Sequence, residues 1–324
     1  MVIVAQQPVS IAKAFSPGHL TGFFATDKSL QTLHPNFNGS LGAGFSISKG
    51  ICTTVKVFDD YGKNYKITLN GVNSVDSKVS KFVVEHYLKL ADKPIFISVE
   101  HESEIPIGYG LGSSGAAALS LSYALNHALK ANLTKIQAAQ IAHHADFVCK
   151  TGLGTVISEF TGGFEIRTSI GGPGIGTVQK IPVSSKCRAI VLCIKPINTD
   201  CLLDKPVSSD EKNNVLNETG RAMVSKLIQH QNIDTFLELS NVFAKECGLL
   251  DGFCREPFLS LDSIGIKSSV ALFGHALFTI VAQETVPKVT RVLKQFDGTL
   301  LVCPIDGIGA RVIEEDKLER GQKH

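Results

Sequence analysis

A chain of 324 residues that is 44% hydrophobic and 19% charged carries enough apolar side chains for a sizeable core, and its low charge excludes a disordered polymer. Its 32 basic and 30 acidic side chains leave a net charge of +2, so no global field draws it to nucleic acid or to a membrane surface, and recognition must reside in a local site. Eight cysteines with no C-x-x-C pair exclude a short-spaced structural zinc site and read as reduced, mostly buried thiols; neither a secretory signal nor an apolar window of ~18 residues is present, and the expectation is a soluble cytoplasmic protein.

Residues 94–100 alternate, with Ile95, Ile97 and Val99 on one face, as a half-buried strand does. A loop runs from His101 to Gly112. Ser113 to Ala131 then reads as a buried helix rich in small residues, with Ala117, Leu121, Leu125 and Ala128 at helical spacing. Thr134 is placed to cap a second helix reaching about Cys149, which carries His143 and Asp146 away from its apolar side. Phe164-Glu165-Ile166-Arg167 reads as a strand with Glu165 and Arg167 on the face opposite Phe164 and Ile166.

Glycines crowd residues 152–176, and Gly171-Gly172-Pro173-Gly174 marks a boundary near 170–185, dividing the chain into 1–175 and 176–324. The second part is expected to hold a strand at 189–194, a helix near 209–230 opened by a Ser208-x-x-Glu211 capping box, and a helix near 234–249. Apolar strands within 269–282, a helix from Pro287 and a strand at 299–303 follow, and Glu314 to His324 reads as a solvated tail. Strands and helices interleave in both parts.

The chemistry concentrates in Pro106-Ile107-Gly108-Tyr109-Gly110-Leu111-Gly112-Ser113-Ser114-Gly115. Glycines at alternate positions free the backbone, and two serines open a helix whose unpaired N–H groups and positive dipole end hold anions, so the segment reads as a phosphate cradle. It is not a Walker A loop, since no lysine follows the glycines. Gly110 to Gly115 does satisfy G-x-G-x-x-G, but the approach from the preceding strand is too long for a dinucleotide βα turn, and no strand-ending acid stands ~20 residues on. The remaining alternative is a tight turn that merely packs a small-residue helix.

This loop resembles the ATP-phosphate loop of the GHMP kinase superfamily (galacto-, homoserine, mevalonate and phosphomevalonate kinases). Ala14 to Phe24, with its Pro17-Gly18-His19 turn, resembles the first motif of that superfamily, and Lys267 to Gly274 stands where the third is expected but lacks its glycine cluster. Together with Gly42-Ala43-Gly44-Phe45, Thr151 to Val156 and Gly162 to Arg167, these motifs are similar to the archaeal pantoate kinase family over roughly residues 12–305. The resemblance implies a two-domain α+β GHMP kinase fold, with a ribosomal S5 domain 2-like N-terminal half and a ferredoxin-like C-terminal half. It also implies ATP- and Mg²⁺-dependent phosphorylation of the small molecule pantoate to 4-phosphopantoate in coenzyme A biosynthesis. A homodimer is expected, as for many soluble enzymes.

By that resemblance Pro106, Gly108, Gly110, Leu111, Gly112 and Ser113 hold the phosphates, while Ser114 and Asp146 serve phosphate and Mg²⁺. Ser40, His143, Arg167 and Thr199 are expected at the acceptor, Arg167 because its guanidinium forks onto a carboxylate. His19 either orients the acceptor or γ-phosphate, or hydrogen-bonds the turn. Two positions depart from the pattern: Thr155 stands where many members carry a catalytic aspartate, and Leu41 where an arginine is expected. The rival readings are a kinase of the same fold acting on homoserine or a mevalonate relative, and a ligand sensor without turnover.

Overall fold

The computed structural model describes residues 7–26, 34–59, 62–74, 77–152, 154–197, 210–250 and 252–313, with side chains from 215 onward in the helix that begins at 210. Two long strands, β1 (Ser10–Ala25) and β2 (Leu41–Asp59), form an antiparallel spine. β2 serves two neighbours: its second half pairs with β5 (Ile95–Ser103), and its first four paired residues, from Gly42 to Phe45, pair with β6 (Phe164–Arg167). β3 (Lys63–Leu69) and β4 (Val72–Asn73) extend one edge and β7 (Val178–Ile181) the other.

Against this sheet pack α1 (Lys78–Leu90), α2 (Ser113–Ala128) and α3 (Lys135–Val148). The expected cap on α3 is present as a full capping box, with Gln137 N–H donating to the Thr134 hydroxyl and the Gln137 side chain accepting from Thr134 N–H. A short helix, α4 (Thr155–Thr161), leads into β6.

The second sheet is antiparallel in the order β11 (Thr299–Cys303), β8 (Cys187–Lys195), β10 (His275–Ala282), β9 (Ser269–Val270). The division expected at residue 175 falls between β6 and β7, ahead of this sheet. Helices α5 (Asp210–Gln229) and α6 (Ile233–Glu246) pack into the core that joins the two sheets, while α7 (Arg255–Ser263) and α8 (Val286–Leu293) cover the second. β12 (Arg311–Ile313) then returns to the first sheet beside β1. The elements follow the expected periodicities, except that β5 runs to Ser103 where a loop is expected from His101, and α3 buries His143 and Asp146 because other segments pack on the face opposite its apolar side; Ser208 of the proposed capping box and the charged tail lie outside the described residues.

Seven of the cysteines are described and free; Cys193, Cys254 and Cys303 are buried and the other four half-buried. Among the described residues no helix is long and apolar enough to cross a membrane.

Candidate active site

Between the first sheet, the loop before α2 and the β9–β10 turn lies a cavity of about 550 Å³. Gly108, Gly110, Leu111, Gly112, Ser113 and Ser114 line it, as the phosphate-cradle reading expects; Pro106 does not, and the neighbouring Ile107 does. Gly108, Gly110 and Gly112 all adopt positive φ (85°, 77° and 71°), which L side chains rarely tolerate, so the alternation of glycines is a backbone requirement. Leu111 accepts a 2.9 Å hydrogen bond from His19 N–H, which ties β1 directly to the loop.

The floor is a trough cut by two glycines. In register, Thr21, Gly44 and Glu165 form one row across β1, β2 and β6, and Phe24, Gly42 and Arg167 form another, with the Phe23, Ala43 and Ile166 row between them. A Cβ on Gly42 would lie 2.5 Å from Arg167 Nη2, and one on Gly44 would lie 2.6 Å from the His19 ring. The Gly42-Ala43-Gly44 pattern therefore makes room for a guanidinium and an imidazole at the middle of the sheet.

These two groups share a buried carboxylate. Arg167 Nη1 donates to Glu165 Oε1 (2.7 Å) and to Ser158 Oγ (2.8 Å), and the Ser158 hydroxyl donates to Glu165 (2.7 Å). His19 Nε2 lies 3.1 Å from the same Oε1, and Gly44 N–H donates to the other oxygen. Burial opposes ionisation of Glu165, but Arg167 and His19 together hold its carboxyl below the usual range. Burial pushes His19 down despite Glu165, so the neutral imidazole carries its proton on Nε2 and leaves Nδ1 as an acceptor, 3.4 Å from the Thr21 hydroxyl.

Arg167 is thus no surface ion pair. It is fully enclosed, lines the cavity, and its Nε finds no partner among the described residues. An unpaired buried donor at a cavity wall is costly unless a ligand satisfies it. Ser40 Oγ stands on the same wall: a Cβ on Gly154 would lie 2.8 Å from it and 3.8 Å from Arg167 Nε.

Asp146 lines the cavity beside Ser114, Thr151 and Thr155. It is buried, accepts a 2.7 Å hydrogen bond from the Thr151 hydroxyl, and burial raises its carboxyl to about 6. His143, expected at the acceptor, is not among the lining residues. Its Nε2 donates to the carbonyls of Pro35 (3.2 Å) and Asn38 (3.0 Å), which fixes the segment leading into Ser40. Thr199 lies outside the described residues.

Sequence reasoning passed over Glu159. Four residues beyond Thr155 on α4, it lies under the first turn of α2, where Cβ atoms on Gly112 and Gly115 would come within 2.5 and 2.6 Å of its oxygens. Both oxygens are buried without a partner among the described residues, and burial, then the Asp146 carboxylate, raises its pKa well above the ordinary value. Held neutral, it places no negative charge beneath the first turn of α2. The available signal was its i, i+4 spacing from Thr155.

The donor set fits Mg²⁺. Ser114 and Asp146, both on the cavity wall, offer the hard oxygens that Mg²⁺ prefers.

Residues 77–162 match the family described as the GHMP kinases N terminal domain. The chain is 31% identical over 296 residues to the pantoate kinase of Thermococcus kodakarensis, covering 89% of this chain and 93% of that protein. It is 31% identical over 285 residues to the pantoate kinase of Methanocaldococcus jannaschii, covering 86% and 96%. A solved phosphotransferase related to the CoA biosynthesis pathway superposes with a TM-score of 0.82 at 28% identity, over 93% of this chain and 98% of that one. With the glycine-rich loop, the glycine trough and the enclosed arginine all in one cavity, the chain belongs to the pantoate kinase family of the GHMP kinases.

Proposed function

We propose that this cavity transfers the γ-phosphoryl group of ATP to the terminal hydroxyl of pantoate, giving 4-phosphopantoate for coenzyme A biosynthesis. The observation that carries the acceptor assignment is the buried, unpartnered Nε of Arg167 at the cavity wall, a donor that a carboxylate satisfies. Ser40 on the same wall supplies a hydroxyl, His143 acts through the 35–38 segment rather than by touching the substrate, and Thr199 completes the acceptor set by resemblance.

Positive-φ glycines and the α2 N-terminus direct backbone N–H groups at the phosphates. Ser114 and Asp146 would hold Mg²⁺, which when bound neutralises the developing charge on the phosphate oxygens. In a loose transition state most of the protein's work is positioning. Thr155 cannot act as a base at neutral pH, but it lines the cavity and can hydrogen-bond the acceptor hydroxyl. His19, neutral and oriented by Glu165, presents Nδ1 as an acceptor beside Thr21 and is the group able to guide the leaving proton. The same reading takes the enzyme as a cytoplasmic homodimer.

The test is ADP release with Mg²⁺ and ATP against pantoate, homoserine, mevalonate and shikimate, with an acceptor-free control. Turnover with pantoate is expected, and Arg167→Lys is expected to raise KM for pantoate at least tenfold while leaving KM for ATP within about twofold, since a lysine cannot reproduce the fork. Turnover with another acceptor alone keeps the fold and replaces the substrate; nucleotide binding with no turnover at all favours a sensor.

A further inference from the structure

Of the described residues other than glycine, those with positive φ are Asn70, Lys130, Asn132, Lys150 and Phe273. Four are of types or in turns where that conformation is common; Phe273, at φ 63°, is a bulky aromatic for which it is a true outlier. It sits in the turn joining β9 to β10, where the resemblance leads one to expect a glycine cluster and the chain instead reads Ala271-Leu272-Phe273-Gly274. The surroundings force the conformation. Ala271 N–H donates to Ala276 O (2.8 Å), a Cβ on Gly274 would strike the Tyr109 backbone, and one on Gly110 would lie 3.2 Å from Gly274 N. Strain held in place at a cavity wall is a pointer to function.

The ring has a partner and a target. Phe273 lies 6.0 Å from Phe24, centroid to centroid, and Phe24 is backed in turn by Phe243 at 5.7 Å. Phe24, Leu272 and Phe273 all line the cavity. Phe24 also shares its sheet row with Gly42 and Arg167, and the space a Cβ on Gly42 would fill borders both, 2.5 Å from Arg167 Nη2 and 3.0 Å from Phe24 Cα, so the aromatic wall and the guanidinium adjoin across one glycine. An acceptor whose carboxylate meets Arg167 therefore has an apolar wall within reach of its next carbons in the same cavity.

We infer that Phe24 and Phe273 form a specificity wall that selects a hydroxy acid with a branched apolar carbon, gripping the geminal dimethyl group of pantoate. This rests on the pantoate reading above. The wall explains why an aromatic is kept where the backbone favours glycine.

The experiment compares kcat/KM for pantoate and for 2,4-dihydroxybutanoate, the same acid without its two methyl groups, at saturating Mg²⁺ and ATP. The unmodified enzyme is expected to prefer pantoate by more than tenfold, since a single methylene in an apolar pocket already gives about 10- to 200-fold. Phe273→Gly, which suits the backbone, is expected to reduce that preference about tenfold, and Phe24→Leu to reduce it in the same direction. An unchanged preference in both variants, or a loss that falls on KM for ATP, overturns the inference while leaving the functional reading intact. Failure of the unmodified enzyme to use pantoate overturns the functional reading and this inference with it.

Discussion

Asp146 is a carboxylate that the fold holds at a cost. It is buried with one hydroxyl as its partner, and burial raises it from 3.8 to about 6. A carboxyl whose folded pKa exceeds its unfolded one favours the folded state most below the unfolded value; that contribution is lost as pH rises toward 6. Above pH 6 the metal-free protein carries the full deficit, of the order of 3 kcal/mol at ~1.4 kcal/mol per unit. Asp146→Asn is therefore expected to be more stable than the parent at pH 7.5 in the absence of metal and nucleotide, with the gap shrinking as pH falls to 4, while Mg²⁺ with ATP no longer raises its melting temperature. Urea denaturation across this pH range reads the first effect, and thermal melts with and without Mg²⁺ and ATP read the second. A gap that stays constant with pH would show that Asp146 titrates normally.

At the scale of elements, a second buried polar cluster shows how the helices are held on the sheet. His101 on β5 hydrogen-bonds Thr53 on β2 (2.8 Å) and Ser80 on α1 (3.0 Å), and Thr53 reaches Ser120 on α2 (2.6 Å). Burial lowers His101 to about 4, so it is neutral in the folded protein. Its contribution is present above the unfolded value near 6.5 and lost as pH falls toward 4, about 3 kcal/mol in all. The unfolding free energy is expected to drop across that window, and less so in His101→Gln, by guanidinium titration at pH 7, 5.5 and 4.5; parallel curves for the two proteins would remove His101 as the cause.

The strand and helix periods that build these elements are legible in the sequence, because half-buried strands alternate and the Thr134 cap has its Gln137 partner. So is the backbone of the glycine-rich loop, since glycines at alternate positions answer the positive φ that Gly108, Gly110 and Gly112 adopt. What was hidden depends on tertiary proximity. Glu159 and Glu165 look like ordinary acids along the chain, and only the packing of α4 under α2 and of β6 against β2 makes one neutral and the other a shared counter-ion. His143 carries the right chemistry for an acceptor contact, but its helix face meets the 35–38 segment first.

For the molecule as a whole, the site exists only where the two sheets meet. The glycine-rich loop before α2 reaches the cavity from the first sheet's side, and Leu272 and Phe273 reach it from the second's. One aromatic core spans the junction: Phe45 of β2 lies 5.4 Å from Phe278 of β10, and Phe236 of α6 touches Phe278 at 6.2 Å and Phe164 of β6 at 4.9 Å. The segment after β11 also crosses back: Asp306 accepts from the N–H groups of Ile308 and Gly309 and pairs with Arg311, whose guanidinium lies 4.6 Å from the Phe15 ring centroid of β1. A shared core and a returning strand couple the stabilities of the two sheets, so they should unfold together despite the length of the chain. Phe278→Ala opens a void that both sheets line, at a cost of about 3–5 kcal/mol. Scanning calorimetry of the variant should show one transition shifted downward, with tyrosine fluorescence and far-ultraviolet dichroism coinciding. Two separated transitions, with only the second sheet's melting lowered, would mean that each sheet keeps its own core and that the cavity between them opens without unfolding either.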